Sequence, residues 1–362
     1  MVSDFVKIME VKAYKDVVDI SMLKEIDTCL SMEQKRLPSW LFYDAEGSRL
    51  FQQIMKLPEY YPTACEYEIL RDHRDLLLTY FTYGDKSFDL IELGAGDAYK
   101  TQLLLDFFRA ESTDFRYVPV DISEDILSHL HTRLTSRLPE LRIEPVCSRY
   151  DDPSGILLSR DRHKVIMFLG ASIGNFTQFE ATTFLKNVSS AMSPTDLMVV
   201  GFDLKKDPRV IQLAYDDPKG ITRKFNLNML TRLNAELDAN FNVSHFNHYP
   251  VYNPATGTAE SFLISKKDQT VIIGALQKAF SFKAWETIHT EISQKYDMAM
   301  IEHIATKAGL EVIDVLYDSR KYFCDVILRK FQPRCPYRSS VAAEYHVVKV
   351  NNAEDYGFRF AF

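Results

Sequence analysis

Five cysteines in 362 residues (Cys29, Cys65, Cys147, Cys324 and Cys335) form no CxxC pair. Few, dispersed and odd in number, they argue against a disulfide framework and predict reduced thiols. Long apolar runs are also missing. No stretch of about 18 consecutive apolar residues occurs, so no membrane span is expected. The N-terminal MVSDFVKIMEVKAYKD carries charges every few residues and lacks the apolar centre of a signal peptide. Nor is positive charge in excess: 43 Lys and Arg against 50 Asp and Glu leave a net charge of −7. That balance favours neither nucleic acid nor a membrane surface as partner. A cytoplasmic, monomeric protein is expected.

What the chain does have is apolar bulk. With 46% apolar, 26% charged and 12% aromatic residues, it has the composition of a folded protein with a large core. Its length exceeds what most single cores support, so two domains are expected. Between Phe88 and Phe202, strand-length runs (FDLIEL, FRYVPVD, KVIMFLG, LMVVGFD) alternate with segments of helical spacing (TQLLLDFF, EDILSHLHTRLTSRL, ATTFLKNVSSAM). That alternation predicts an α/β fold: a mainly parallel sheet with helices on both faces and its ligand beyond the carboxyl ends of the strands. Leu310–Tyr317 and Tyr322–Arg329 predict a closing antiparallel hairpin. Residues 1–65 read as helical and polar, with a break at Leu57–Thr63, where Pro58 and Pro62 predict an extended or turn segment holding Tyr60 and Tyr61. A helix over Thr222–Leu237 and the polar, turn-rich sequence after it predict an insertion or second domain rather than more of the same sheet.

The sequence LIELGAGDAYKT puts a small-residue turn directly after a strand and before a helix. Glycine lets the backbone approach a ligand closely, and the helix start offers free N–H groups. A dinucleotide fingerprint needs a third small residue three positions on, where this chain has Tyr99. A nucleoside without a pyrophosphate, such as S-adenosylmethionine, fits better. Asp121, which ends the next strand, can accept from both ribose hydroxyls; it can equally cap the helix that follows.

Seven segments extend this reading: LPSWLFYDAEGSRLFQQIMKLPEYYPTACEYEIL, IELGAGDAYKT, YVPVDIS, FLGASIGNF, DLKKDP…AYDD, FNLNMLTRLNAELDANF and ETIHTEISQKY. In that order they resemble the S-adenosylmethionine-dependent histidine-specific methyltransferases of ergothioneine biosynthesis, over roughly residues 35–330. The resemblance implies trimethylation of the α-amino group of L-histidine to hercynine, without a metal. It also implies a class I methyltransferase (Rossmann-like) domain, residues 66–204 and 295–330, and a smaller α+β substrate-binding domain, residues 14–65 and 205–294. Residues 331–362 are left as an extension with no functional reading.

Carried over motif by motif, the resemblance implies cofactor contacts at Gly94, Gly96, Lys100 and Asp121, with Tyr150 on the adenine side. The window Cys147–Asp152 departs from the family's commoner Gly-Asp-Phe pattern, with Arg149 where an acid is usual, and Asp151 is the candidate replacement. For the substrate it implies Tyr60, Gly170, Asn175, Tyr215, Glu291 and Ser293, with Tyr43 and Asn175 at the amine.

These residue types suit the chemistry. Tyrosine hydroxyls and an asparagine amide can hold a carboxylate and an amine without adding charge, and aromatic faces tolerate the growing quaternary ammonium. Glu291 can accept from one imidazole nitrogen, and Ser293 can accept from or donate to the other. Two apart on an extended segment, they share a face. His289 has no HExxH or CxxC companion and does not suggest a metal site. Lys205 and Lys206 read as a solvated basic pair. The rival expectations are another amino-acid or biogenic-amine acceptor, or a non-catalytic S-adenosylmethionine-binding protein.

Overall fold

The computed structural model describes residues 20–82, 87–149, 154–158, 160 and 162–332. Tyr150, Asp151, residues 14–19 and all but the start of 331–362 lie outside that set. The four apolar runs become β1 (Ser87–Leu93), β2 (Asp114–Asp121), β5 (His163–Phe168) and β6 (Leu197–Asp203). Short β3 (Arg142–Ile143) and β4 (Val146–Cys147) add to the edge at β2. The order is β12-β13-β6-β5-β1-β2-β3, where β12 is Leu310–Tyr317 and β13 is Phe323–Lys330.

All pairings from β3 to β6 are parallel; β13 runs antiparallel to both β6 and β12. This is the class I methyltransferase sheet with the expected closing hairpin. The middle strands read as unbroken apolar runs because helices cover both faces, which leaves no solvent side to demand polar alternation. One apolar core lies on each face, with Leu90, Leu104 and Phe108 in the first and Ile91, Phe184 and Ile304 in the second.

Among the described residues, the buried members of a third core all come from 26–54 and 225–288. It packs helices Ile20–Ser31, Ala45–Ile54 and Ile221–Leu237 against two small antiparallel sheets. One holds β7 (Phe246–Asn253), β8 (Thr258–Ser265) and β11 (Thr287–Gln294); the other pairs β9 (Gln269–Ile273) with β10 (Lys278–Phe282). The turn-rich segment thus contains a strand the sequence reading did not separate, because Phe246–Asn253 alternates in burial against a helix rather than forming an apolar run. Tyr61, Ile211, Tyr215 and Ala259 join a core of the large sheet, and Tyr60 packs against both that core and the third.

The break around Pro58 is real, but Pro62 does not extend it. A helix runs from Tyr61 to Asp72 with Pro62 in its first turn, where a missing N–H costs no hydrogen bond. Among the described residues no helix is long and apolar enough to cross a membrane.

Gly201, in the middle of β6, faces the helix Tyr61–Asp72: a Cβ there would lie 2.2 Å from Glu66 Oε1. Gly201→Ala is therefore expected to destabilise by about 1–3 kcal/mol through overpacking, read as a lower urea midpoint. An unchanged midpoint means that Glu66 does not occupy this window.

Candidate functional site

At the end of β1, Gly94 and Gly96 adopt positive φ of 72° and 53°, a region that disfavours side chains. The turn is held by Gly94 and Ala95 N–H groups donating to the Val120 carbonyl (2.8 and 3.0 Å). Asp121 is fixed by two backbone donors, Gly96 N–H to Oδ2 (2.9 Å) and Ser123 N–H to Oδ1 (3.0 Å). The helix cap is Ser123, not Asp121, so the carboxylate keeps lone pairs for another partner. Among the described residues, its chain neighbours apart, nothing lies within 4 Å of where a Gly96 Cβ would stand. An open glycine turn beside a pre-set carboxylate fits the ribose and amino-acid portion of S-adenosylmethionine. Tyr99, in the place of a third small residue, turns outward and stacks on Tyr67 at 5.7 Å. Below the turn, burial pushes the Glu92 carboxyl up to about 7, although Thr101 and Tyr117 donate to it.

Lys100 does not stand alone. It pairs with the buried Glu66, whose carboxylate also accepts from the Gly170 N–H (2.7 and 2.9 Å). Glu66 thus ties the loop after β1 to the loop after β5, and Gly170 has only its carbonyl to offer a ligand. Asn175 ends the turn Ser172–Asn175 in the same loop, half-buried. A Cβ on the neighbouring Gly174 would lie 3.5 Å from Ser293 Oγ, so β11 abuts the mouth of the large sheet.

On β11 the expected face-sharing holds, with a complication. Register shifts between His289 and Glu291, where Thr290 is an extra residue held by Asn226 (2.7 Å) and the Ser261 carbonyl (3.0 Å). Beyond it, Glu291 pairs with Ser261 and Ser293 with Ala259. Ser261 donates to Glu291 (3.3 Å), and His248 lies 3.3 Å from the same hydroxyl. Burial raises Glu291 to about 7 against the opposing pull of the Lys295 cation and the Ser261 bond. Burial holds His248 down at about 4, hence neutral.

Lys295 is the centre of the site, and the sequence reading missed it. Fully buried, it donates to Tyr215 (2.7 Å), Ser293 Oγ (2.7 Å) and Asp203 Oδ2 (2.8 Å). Backbone bonds deliver it there: Tyr296 N–H to the Asp203 carbonyl (2.9 Å) and Lys205 N–H to the Tyr296 carbonyl (2.8 Å). Asp203 also accepts from Tyr61 (2.9 and 2.8 Å) and pairs with Lys206. Burial alone would raise its carboxyl, but the two lysines hold it below the usual range.

Lys206 is therefore buried against Asp203 rather than solvated; Lys205 is partly exposed and pairs with Asp297 (2.8 Å). Tyr60, the residue before the helix Tyr61–Asp72, packs between the third core and a core of the large sheet, and burial holds its phenol well above the ordinary range. Tyr43 is one ring further out. It contacts Phe51 at 6.3 Å, which contacts Tyr60 at 6.2 Å, and is 37% exposed. Two signals could have found the missed residues. Lys295 lies two after Ser293 in TEISQK, and Asp203 ends its strand as Asp121 does. Nothing in the sequence marked Glu66. Among the described residues no group of three His, Cys, Asp or Glu could hold a metal ion.

The profile of the family described as "Histidine-specific methyltransferase, SAM-dependent" matches residues 22–330. Histidine N-alpha-methyltransferase of Mycobacterium tuberculosis is 35% identical over 299 residues, 83% of this chain and 92% of that protein. Ergothioneine biosynthesis protein 1 of Schizosaccharomyces pombe is 32% identical over 83% of this chain, but over only 40% of that longer protein. A more distant relative, 4-dimethylallyltryptophan N-methyltransferase of Aspergillus fumigatus, is 26% identical over 78% of this chain and 86% of that protein.

Two titrations follow. Asp203→Asn leaves two buried ammonium groups without their counter-ion and is expected to cost about 3–5 kcal/mol in urea unfolding at neutral pH. Because the folded carboxyl is held low, its stabilisation is complete at neutral pH and fades only as pH falls below about 4. Glu291 has the opposite sign. Its folded value of about 7 lies above the ordinary 4.5, so ionising it opposes folding as pH rises between those values. Glu291→Gln is expected to raise the Tm of the ligand-free protein at pH above about 7 and not near pH 4; a pH-independent difference contradicts the assignment.

Proposed function

The chain belongs to the S-adenosylmethionine-dependent histidine-specific methyltransferases, and from that premise we propose that it transfers three methyl groups to the α-amino nitrogen of L-histidine. The product is hercynine, in ergothioneine biosynthesis, and the enzyme works in the cytoplasm as a monomer. The observation that carries the substrate reading is that Tyr215 and Ser293 are both bonded to one buried ammonium, with Glu291 two residues from Ser293 on the same strand, beside the loop of Gly170 and Asn175.

Gly94, Gly96, Lys100 and Asp121 hold the methyl donor, with Tyr150 and Asp151 at its adenine edge. When bound, S-adenosylmethionine supplies an electrophilic methyl group on a positively charged sulfur. The protein's task is then to present a deprotonated amine in line with that carbon and to keep water out. Asn175, Tyr43 and the Gly170 carbonyl hold the amine. Tyr60 and Tyr215 take the carboxylate. Burial keeps both phenols protonated well above the ordinary range, so they remain donors at the pH where the amine loses its proton. Glu291 and Ser293 read the imidazole. In this reading residues 66–204 and 295–330 bind the methyl donor, and residues 14–65 and 205–294 supply most of the substrate pocket.

Incubation with L-histidine and S-adenosylmethionine should give mono-, di- and trimethylhistidine in succession by mass spectrometry. Preference for tryptophan or tyrosine in competition selects the other-acceptor reading, and cofactor binding without any methylated product selects the non-catalytic one. Glu291→Ala should raise the KM for histidine about 100-fold or more while changing cofactor affinity less than about threefold. Asp121→Ala should do the reverse. Equal loss of both affinities in either variant counts against the assignment.

A further inference from the structure

The Lys295 ammonium has three N–H donors and no acceptor, and three acceptors surround it: Asp203, Tyr215 and Ser293. Neither hydroxyl can give its proton back to Lys295. Each hydroxyl therefore keeps one proton that Lys295 cannot take, and with Tyr215 turned to the substrate carboxylate the Ser293 proton is the one left to face the ring. Charge points the same way. A ring nitrogen bonded to Ser293 stands two short hydrogen bonds from Lys295, roughly 5 Å away. There a protonated imidazole meets a like charge in a site from which water is largely excluded.

The surrounding groups do not reverse this. Asp203 is shared between Lys295, Lys206 and Tyr61. His248 is neutral, and Tyr60 and Tyr252 are phenols held above their ordinary range. Glu291 is left as the group that can accept from the substrate ring.

We propose that Lys295 is a positioning residue that makes the pocket read imidazole in its neutral form, Ser293 donating to the bare ring nitrogen and Glu291 accepting from the ring N–H. The proposal rests on histidine being the substrate and specifies how it is recognised. A pocket so arranged selects one tautomer and rejects the imidazolium, whose second N–H finds a donor opposite it.

The test compares L-histidine with triazolylalanine, in which one ring CH is replaced by nitrogen. That ring keeps an N–H and a bare nitrogen but stays uncharged in this range. Dissociation constants of both are measured by calorimetry from about pH 8 to about pH 5 in the presence of S-adenosylhomocysteine. Their ratio cancels the titration of the pocket itself. With a free imidazole pKa near 6.5, the ratio of the histidine constant to the triazole constant should rise about tenfold or more on acidification. In Lys295→Met, where Ser293 is released to accept, that rise should shrink or vanish.

A wild-type ratio that stays flat or falls, with the triazole bound about 100-fold more weakly than histidine at every pH, means that the imidazolium is bound and overturns the proposal. This arm needs only the wild-type protein and stands even if Lys295→Met does not fold. If histidine neither binds nor is methylated at pH 8, the functional reading fails instead.

Discussion

One buried ion pair organises this molecule: Asp203 at the carboxyl end of β6 against Lys295 just beyond β11. Each half comes from a different layer, the carboxylate from the large parallel sheet and the ammonium from the small antiparallel one. Neither charge is tolerable alone in a dry interior, so both layers must arrive in register for either to be satisfied. Once they do, the same ammonium fixes Tyr215 and Ser293, and through Asp203 it fixes Tyr61. Pocket geometry is thus a by-product of charge neutralisation between two folding layers.

The loops after β1 and β5 repeat the device at smaller scale. Glu66 reaches over the side-chain-free Gly201, pairs with Lys100 and takes the Gly170 N–H. The loop after β1 and the loop after β5 are thereby joined by one carboxylate. Such pre-organisation reduces the ordering cost that binding would otherwise meet. It also explains why an acidic residue sits on the buried face of a helix otherwise lined by Cys65, Ile69 and Leu70.

Much of this was readable from the chain. Strand–helix alternation marked the parallel sheet, and LIELGAGDAYKT marked the open glycine turn at the end of its first strand, because both are local patterns with a short physical range. Pairwise contacts between distant segments were harder. Lys206 looked solvated because two adjacent lysines normally are, and only the Tyr61 and Tyr322 rings, brought over its ammonium beside Asp203 from distant segments, bury one of them. Lys295 and Glu66 were missed for a related reason: a charged residue in an apolar context signals burial only when its partner, more than 30 residues away in either case, is known. The fate of Pro62 turned on one residue of phase. The same ring that breaks a helix in its middle starts one at its first turn.

The extra residue at Thr290 has a consequence for the way this pocket can vary. Side chains alternate strictly along a strand, so the odd residue inverts the parity of everything after it. It is what lines Glu291 and Ser293 up with Ser261 and Ala259, on the side that Ile288 and Leu263 share. A single-residue deletion there would turn both side chains to the opposite surface while leaving their identities and spacing intact. The lining of such a pocket can therefore be rewritten by length as well as by substitution.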